Sequence, residues 1–448
     1  MAVTTIDDAA RVAAAAGILH ALPDEGVDSD RVRATLDELA LDDLDWRNGR
    51  GFSLVYDSPE AHHRLVREVA TRFIDENALS HSAFPSAARF EAGVLAMVAS
   101  VLAPHTKAYG IFASGATEST MVAIKAYRDH ARYQGANVVV PATAHPAFGK
   151  AAEYLDIDLV RVPVGASGVA DPQAVLVAVD DRTIAIGLSA PCYPFGTVDP
   201  IEEIAAGAHD RGVPVHVDAA LGGLFLPFVD GAPRVGLDVR GVSSVAVDLH
   251  KYGYGVKGAS ALLFAHPELR RAAYHIDLDW PGGAYAAAGV LGSRSVAPAA
   301  AAFAAMVALG RSGYTAVTHD VMDTTRRMQA GLGALGFHLV GEPAMSVFAM
   351  ASHTHSIPSV AAALQQRGWR VDVQSAPDAM HFVVFPRHGQ VVDEFLSDVE
   401  WAVEQPRVDG VAGASYGVML RGMPLTVDAV ADDLDRRFDT PPAMGSPA

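Results

Sequence analysis

A lysine placed where a buried strand gives way to a glycine-bearing loop can do covalent chemistry. This chain has one in VDLHKYGYGVKG, residues 247–258. Lys251 stands between His250 and Tyr252, and a second lysine, Lys257, follows amid glycines. A lysine amine freed of its proton attacks carbonyl carbon and forms a Schiff base. A lone loop lysine reads as readily as solvated surface charge. Three other stretches bear on the choice. SGATES (114–119) puts Gly115, Ala116 and Thr117 between an apolar run and a helix-forming run. Accessible backbone N–H groups and a helix N-terminus there would favour an anion. No lysine follows at the position a nucleotide-binding P-loop requires, and alone the stretch is equally a small-residue turn. His145, in ATAHPAF, could be a cap or surface histidine. Asp218 closes VPVHVD, and a carboxylate at the end of a buried strand is costly unless compensated. No basic residue follows closely, so a bound cation such as a protonated ring nitrogen would serve; a polar residue at a strand mouth is the plainer reading.

Together the four are more informative than each alone. Anion cradle, ring-facing histidine, carboxylate and lysine, each after a strand, meet the needs of pyridoxal 5'-phosphate (PLP). Its phosphate needs backbone donors, its pyridine nitrogen an acid partner, and its aldehyde an amine.

Such residues converge only if strands deliver them to one edge of a sheet, because ligands of open α/β sheets bind beyond the strands' carboxyl ends. Apolar runs at 109–114, 136–141, 158–164, 183–190, 213–220, 242–248 and 259–265 read as strands. Helical stretches at 117–134, with Thr117 as N-cap, and at 146–155, 171–180 and 200–211 alternate with them. This order predicts an α/β fold, a mostly parallel sheet with helices on both faces. Helical spacing also marks 58–77 and 86–104, a buried helix at 296–310 and a long helix at about 314–335. Short strands and helices at 357–368 and 390–404 then predict a small C-terminal α+β domain. The expected division is an N-terminal arm (1–50), a helical segment (51–108), a large domain (109–311), a small domain (312–438) and a disordered tail (439–448).

Lys and Arg number 34 against 52 Asp and Glu, a net charge of −18 that argues against nonspecific binding to nucleic acid or anionic membranes. Cys192 is the single cysteine, which excludes an intramolecular disulfide and a cysteine metal cluster. His62, His63, His353 and His355 lie close in pairs without a partner carboxylate pattern, so no metal site is expected. The start MAVTTIDDAARVAAAAG has acidic residues where a secretory signal is basic, and the greasy run 296–310 is too short to span a bilayer. The expectation is a cytoplasmic protein without a transmembrane helix.

SGATES, ATAHPAFGKAA, VDPIEEIA, VPVHVDAALGG, VDLHKYGYGVKGAS, DWPGGAY and GSR, in this order over residues 51 to 400, resemble the sphingosine-1-phosphate lyases. These are fold-type I PLP enzymes related to the group II amino-acid decarboxylases. The resemblance implies that the fold is the fold-type I PLP-dependent transferase fold, with a seven-stranded sheet. It implies that Lys251 holds PLP as a Schiff base, His250 helps bind its phosphate, Asp218 pairs with the pyridinium and His145 stacks on the ring. Gly115, Ala116 and Thr117 would contact the phosphate. It further implies a homodimer with shared sites, in which Ser293 reaches the neighbouring chain's cofactor phosphate. Tyr56, Tyr193 and Lys257 match substrate-facing positions, and Arg294 either binds substrate or makes an interface ion pair. The implied reaction cleaves a phosphorylated long-chain amino alcohol to a fatty aldehyde and phosphoethanolamine. The chain departs from the family at NALSHSAFP (77–85), where Ala78 replaces proline and Ser80 stands at the place of a phosphate-binding histidine, with His81 one residue later. Leu249 replaces the threonine before the His-Lys pair. The departure at Ser80 leaves amino-acid decarboxylation, or aldol cleavage of a β-hydroxy amino acid, as the alternative.

Overall fold

The computed structural model describes residues 22–41, 43–131, 135–407 and 426–438. The expected tail at 439–448 and much of the expected N-terminal arm lie outside them. The chain divides into two compact units: Ser53–Ala351 with His381–Leu396, and Met1–Phe52 with Ser352–Met380 and Ser397–Ala448.

The first unit is built on seven strands: β1 (Tyr109–Ala113), β2 (Asn137–Pro141), β3 (Asp158–Val162), β4 (Thr183–Ser189), β5 (Val215–Asp218), β6 (Val242–Asp248) and β7 (Ser260–Phe264). All seven lie where the apolar runs place them. Their order is β1-β7-β6-β5-β4-β2-β3, parallel except at β7, which runs antiparallel to both neighbours. β2, β4, β5 and β7 are buried along their whole length, as continuous valine, isoleucine and leucine runs require when a sheet is covered by helices. Register then aligns the ends that matter. Ser189 pairs with Asp218, Asp218 with Ala246, Asp248 with Ser260, and Ser260 with Ala113. The residues that follow β1, β5 and β6 therefore emerge at one edge of the sheet.

Two helix assignments differ from expectation. The helix after β1 is Ala116–Ala131, with Gly115 C=O accepting from Ser119 N (2.9 Å). Thr117 thus sits inside the first turn and does not cap it. The stretches expected as separate helices at 296–310 and 314–335 form one element, Ala297–Ala334, broken only at Gly310 (φ 58°, ψ −179°). Glycine adopts that backbone without a Cβ penalty, so the chain bends there and continues. Pro85–Leu102 is long and apolar enough to cross a membrane by length and composition. Here it buries Ala87, Val94, Val98 and Leu102, and Gly93 leaves room for the Phe303 ring.

In the second unit, Trp369 is fully buried, stacked on Phe52 (ring centroids 5.9 Å apart), and its Nε1 donates to Asp398 Oδ2 (2.8 Å). The helix Ser29–Leu39 is capped by Asp28, whose carboxylate accepts from Asp30 N and Arg31 N.

The turn after β4 carries Tyr193 and depends on one glycine. Gly196 has φ +71°, and a Cβ there would lie 1.7 Å from Val347 O. Gly196→Ala is expected to destabilise the protein by about 3 kcal/mol or more, read as a lowered midpoint of chemical unfolding.

Candidate active site

After Asp248 the chain turns tightly: Leu249 N donates to Ala259 O (3.0 Å) and Gly255 N to Leu249 O (2.9 Å). Gly253 is required because a Cβ there would meet Leu249 O at 2.5 Å, and Tyr254 takes φ 57°. Tyr252 and Tyr254 are buried, and the Tyr252 hydroxyl donates to Val384 O (3.1 Å) and lies 2.6 Å from Ser346 Oγ. These anchors fix the loop on either side of Lys251. Lys251 Nζ lies 3.0 Å from Asp248 Oδ2, and His250 Nε2 lies 3.6 Å from the same oxygen. Asp248 is buried, and its Oδ1 has no hydrogen-bond partner among the described residues.

The SGATES turn opens beside this loop. A Cβ on Gly115 would lie 3.6 Å from His250 Cε1, so the glycine turn and the histidine face each other. Glu118, buried in the first turn of the helix, accepts from Ser114 N (2.7 Å) and Ser114 Oγ (2.6 Å). Its other oxygen accepts from Val290 N (2.6 Å). This variant of a capping box leaves the N–H groups of the cradle itself for an anion.

Asp218 is 7% exposed. Its Oδ1 accepts from Ala220 N (3.0 Å). His145 Nδ1 accepts from Ala147 N (3.1 Å), which orients the ring. Burial lowers the His145 pKa, the Asp218 charge opposes that shift, and Lys251 adds to it. His145, Asp218, Asp248 and Lys251 thus share one electrostatic site. Burial likewise lowers His250, against the pull of Asp248.

The Tyr56 ring packs edge-on against Tyr252 (5.4 Å) and Phe385 (5.0 Å), and Lys257 Nζ lies 5.0 Å above it. Lys257 Nζ donates to Leu54 O (2.8 Å). The residue is exposed overall, yet desolvation of its ammonium head, followed by the charge of Lys251, lowers its pKa to about 8. Tyr193 stacks on His381 at 4.1 Å, and its carbonyl accepts from His381 Nε2 (2.8 Å). Ser293 is exposed and accepts from Asn77 Nδ2 (3.2 Å). Ser80 is spent on a local turn, with its Oγ 3.2 Å from Ser82 Oγ. His81, one residue on, lies 3.5 Å from Glu91, which also binds Arg294 (2.9 Å). All three line a cavity of about 320 Å³ that extends to Ser114. Arg294 therefore has an ion-pair partner in its own chain. Asp248 and Glu118 escaped the sequence reading: the first reads as the end of a strand and the second as one more residue of the helical stretch 117–134. Among the described residues no cluster of three His, Cys, Asp or Glu side chains is placed to hold a metal.

The residues fit a group with an anionic arm, a ring cation and a carbonyl. The buried Asp218 would take the cation, the open glycine turn the anion, and Lys251 would supply the amine. Residues 45–350 match the family model for the pyridoxal-dependent decarboxylase conserved domain. The sphingosine-1-phosphate lyase of Dictyostelium discoideum is 34% identical over 394 residues, 86% of this chain and 74% of that protein. The chain is a sphingosine-1-phosphate lyase-like member of the pyridoxal-dependent decarboxylase family. The solved structure of the Burkholderia pseudomallei sphingosine-1-phosphate lyase is 35% identical and superposes with a TM-score of 0.82, covering 86% of this chain and 93% of that one. A probable L-tyrosine/L-aspartate decarboxylase of Methanothrix thermoacetophila is 32% identical over 85% of this chain and 97% of its own length. PLP is the cofactor of this lyase-like chain, and the α/β fold is the one these enzymes share.

Within this lyase-like site, Glu118→Ala would strand the backbone donors of Ser114 and Val290. The expected result is a loss of about 1 kcal/mol or more per orphaned donor, together with weaker PLP binding, read by unfolding and by cofactor titration. Unchanged stability and cofactor affinity would contradict the bracing role.

Proposed function

We propose that the protein is a PLP-dependent carbon–carbon lyase that cleaves a phosphorylated long-chain amino alcohol, of the sphingoid-base 1-phosphate type, to a fatty aldehyde and phosphoethanolamine. The observation that carries this reading is Lys257, a second lysine within electrostatic reach of Lys251 and 5.0 Å above the Tyr56 ring. An anion holder and a phenol thus stand together beside the cofactor lysine. The two lyases named above support it.

When bound, PLP acts as the electron sink for a bond broken at the amine-bearing carbon. Gly115, Ala116 and Thr117 would bind its phosphate at the helix N-terminus, helped by His250. Lys251 Nζ would hold its aldehyde carbon, with Asp248 Oδ2 placed to keep a proton on that nitrogen whenever the amine is released. Asp218 would hold the ring-nitrogen proton, and His145 would lie against the ring. Lys257 would grip the substrate's anionic end. Tyr56, ionised to the phenolate with the Lys257 ammonium 5.0 Å from its ring, would take the proton from the substrate hydroxyl at Oη, and Tyr193 would orient the substrate. A homodimer would complete each site, with Ser293 serving the neighbouring chain. Amino-acid decarboxylation is the second reading, favoured by the Methanothrix relative.

Incubation with a phosphorylated sphingoid base, in parallel with a panel of amino acids, should yield fatty aldehyde from the first and no carbon dioxide from the second. Carbon dioxide without aldehyde would replace the lyase reading by the decarboxylase one. Lys257 is charged below its pKa of about 8 and neutral above it. KM for the phosphorylated substrate should therefore rise as pH passes 8, and in Lys257→Met it should be high and insensitive to pH across that range. A KM in Lys257→Met equal to that of the parent would remove Lys257 from the substrate site.

A further inference from the structure

Behind Asp218 lies a polar chain that none of the roles above uses. His216 stands two residues before Asp218 on β5, so both side chains leave the same face of the strand. His216 is fully buried. Its Nδ1 lies 2.7 Å from Oγ of Ser244, its register partner on β6. Ser244 Oγ is 2.5 Å from the hydroxyl of Tyr127, on the helix that begins at the anion cradle. The Phe148 ring meets the imidazole edge-on at 5.8 Å, from the helix that follows His145. His216 Nε2 is buried without a hydrogen-bond partner among the described residues.

The proton positions follow. Burial raises the Tyr127 pKa, so the phenol keeps its proton and can donate it to Ser244 Oγ. Burial lowers His216 to about 4, so near neutral pH the ring is uncharged and carries one proton. With Tyr127 donating to Ser244, the serine proton goes to Nδ1 and the imidazole proton sits on Nε2. Asp218, two residues on and on the same face of β5, is the charge that acts on this ring.

We propose that His216 is a positioning residue for Asp218: Tyr127 and Ser244 hold its imidazole with the proton on Nε2, and that buried N–H dipole stabilises the carboxylate charge that serves the PLP ring nitrogen. This rests on the reading of Asp218 given above.

His216→Phe keeps a ring of similar size and removes the dipole. The purified holoenzyme should keep its cofactor content, with its unfolding midpoint lowered only by the loss of one buried hydrogen bond, while kcat falls roughly tenfold at unchanged KM. The visible absorption bands of the bound cofactor should shift in relative intensity. Tyr127→Phe, which removes one oxygen, should shift the bands in the same direction by less. Asp218→Asn should lose more turnover than either. If Asp218→Asn is as active as the parent, the reading of Asp218 fails and this inference fails with it. If Asp218→Asn is crippled while His216→Phe and Tyr127→Phe leave bands and kcat unchanged, the inference about His216 alone is overturned. Should His216→Phe fail to fold, the Tyr127→Phe spectrum decides, and an unchanged spectrum overturns the proposal.

Discussion

A carboxylate at the closed end of a buried strand must be compensated, and the site is arranged around that requirement at Asp218. Taking such a charge out of water costs several kcal/mol after relaxation. One opposite charge at contact distance returns roughly 4 kcal/mol in a partly screened protein setting. The backbone N–H of Ala220 meets part of the need, and no lysine or arginine nitrogen lies within 4 Å of Asp218 among the described residues. A cationic ring nitrogen would supply the remainder. The same charge opposes the desolvation of His145, so cofactor binding and the state of the neighbouring side chains are one electrostatic problem.

The sheet makes this convergence possible at low entropic cost. Fully buried parallel strands need no alternation, and their register places the residues after β1, β5 and β6 at one level. Loops after those strands then need only a few residues to reach the cofactor. Gly253 allows backbone to pass close to Leu249, and Glu118 braces the cradle against the segment at Val290. Secondary structure thereby brings lysine, histidine, carboxylate and glycine turn together, and their own contacts orient them.

Much of this was legible in the sequence because it is local. Valine-rich runs mark the strands, and Gly115, His145, Asp218 and Lys251 lie at or within a few residues of the ends of those runs. What was not legible depends on contacts between distant segments. Asp248 belongs to a strand by pattern, and only the turn after it folds Lys251 back onto its carboxylate. Glu118 reads as one more residue of a helical stretch until Val290 arrives from 172 residues away. His216 reads as one more strand residue until Ser244 and Tyr127 close around it. Ser80 stood out as a departure from the family pattern, but periodicity could not say that His81 would face Glu91 beside Arg294. Gly310 shows the converse: a local breaker bends the helix but does not end it, because packing on both sides continues.

The central claim is that Lys251, and not the nearby Lys257, holds PLP covalently. Reduction of the PLP-loaded protein with borohydride, followed by digestion and mass spectrometry, reads this directly. The account predicts a single pyridoxyl adduct on the peptide containing Lys251, at that residue. An adduct on Lys257, or a protein that binds PLP but yields no reduced adduct, would contradict it.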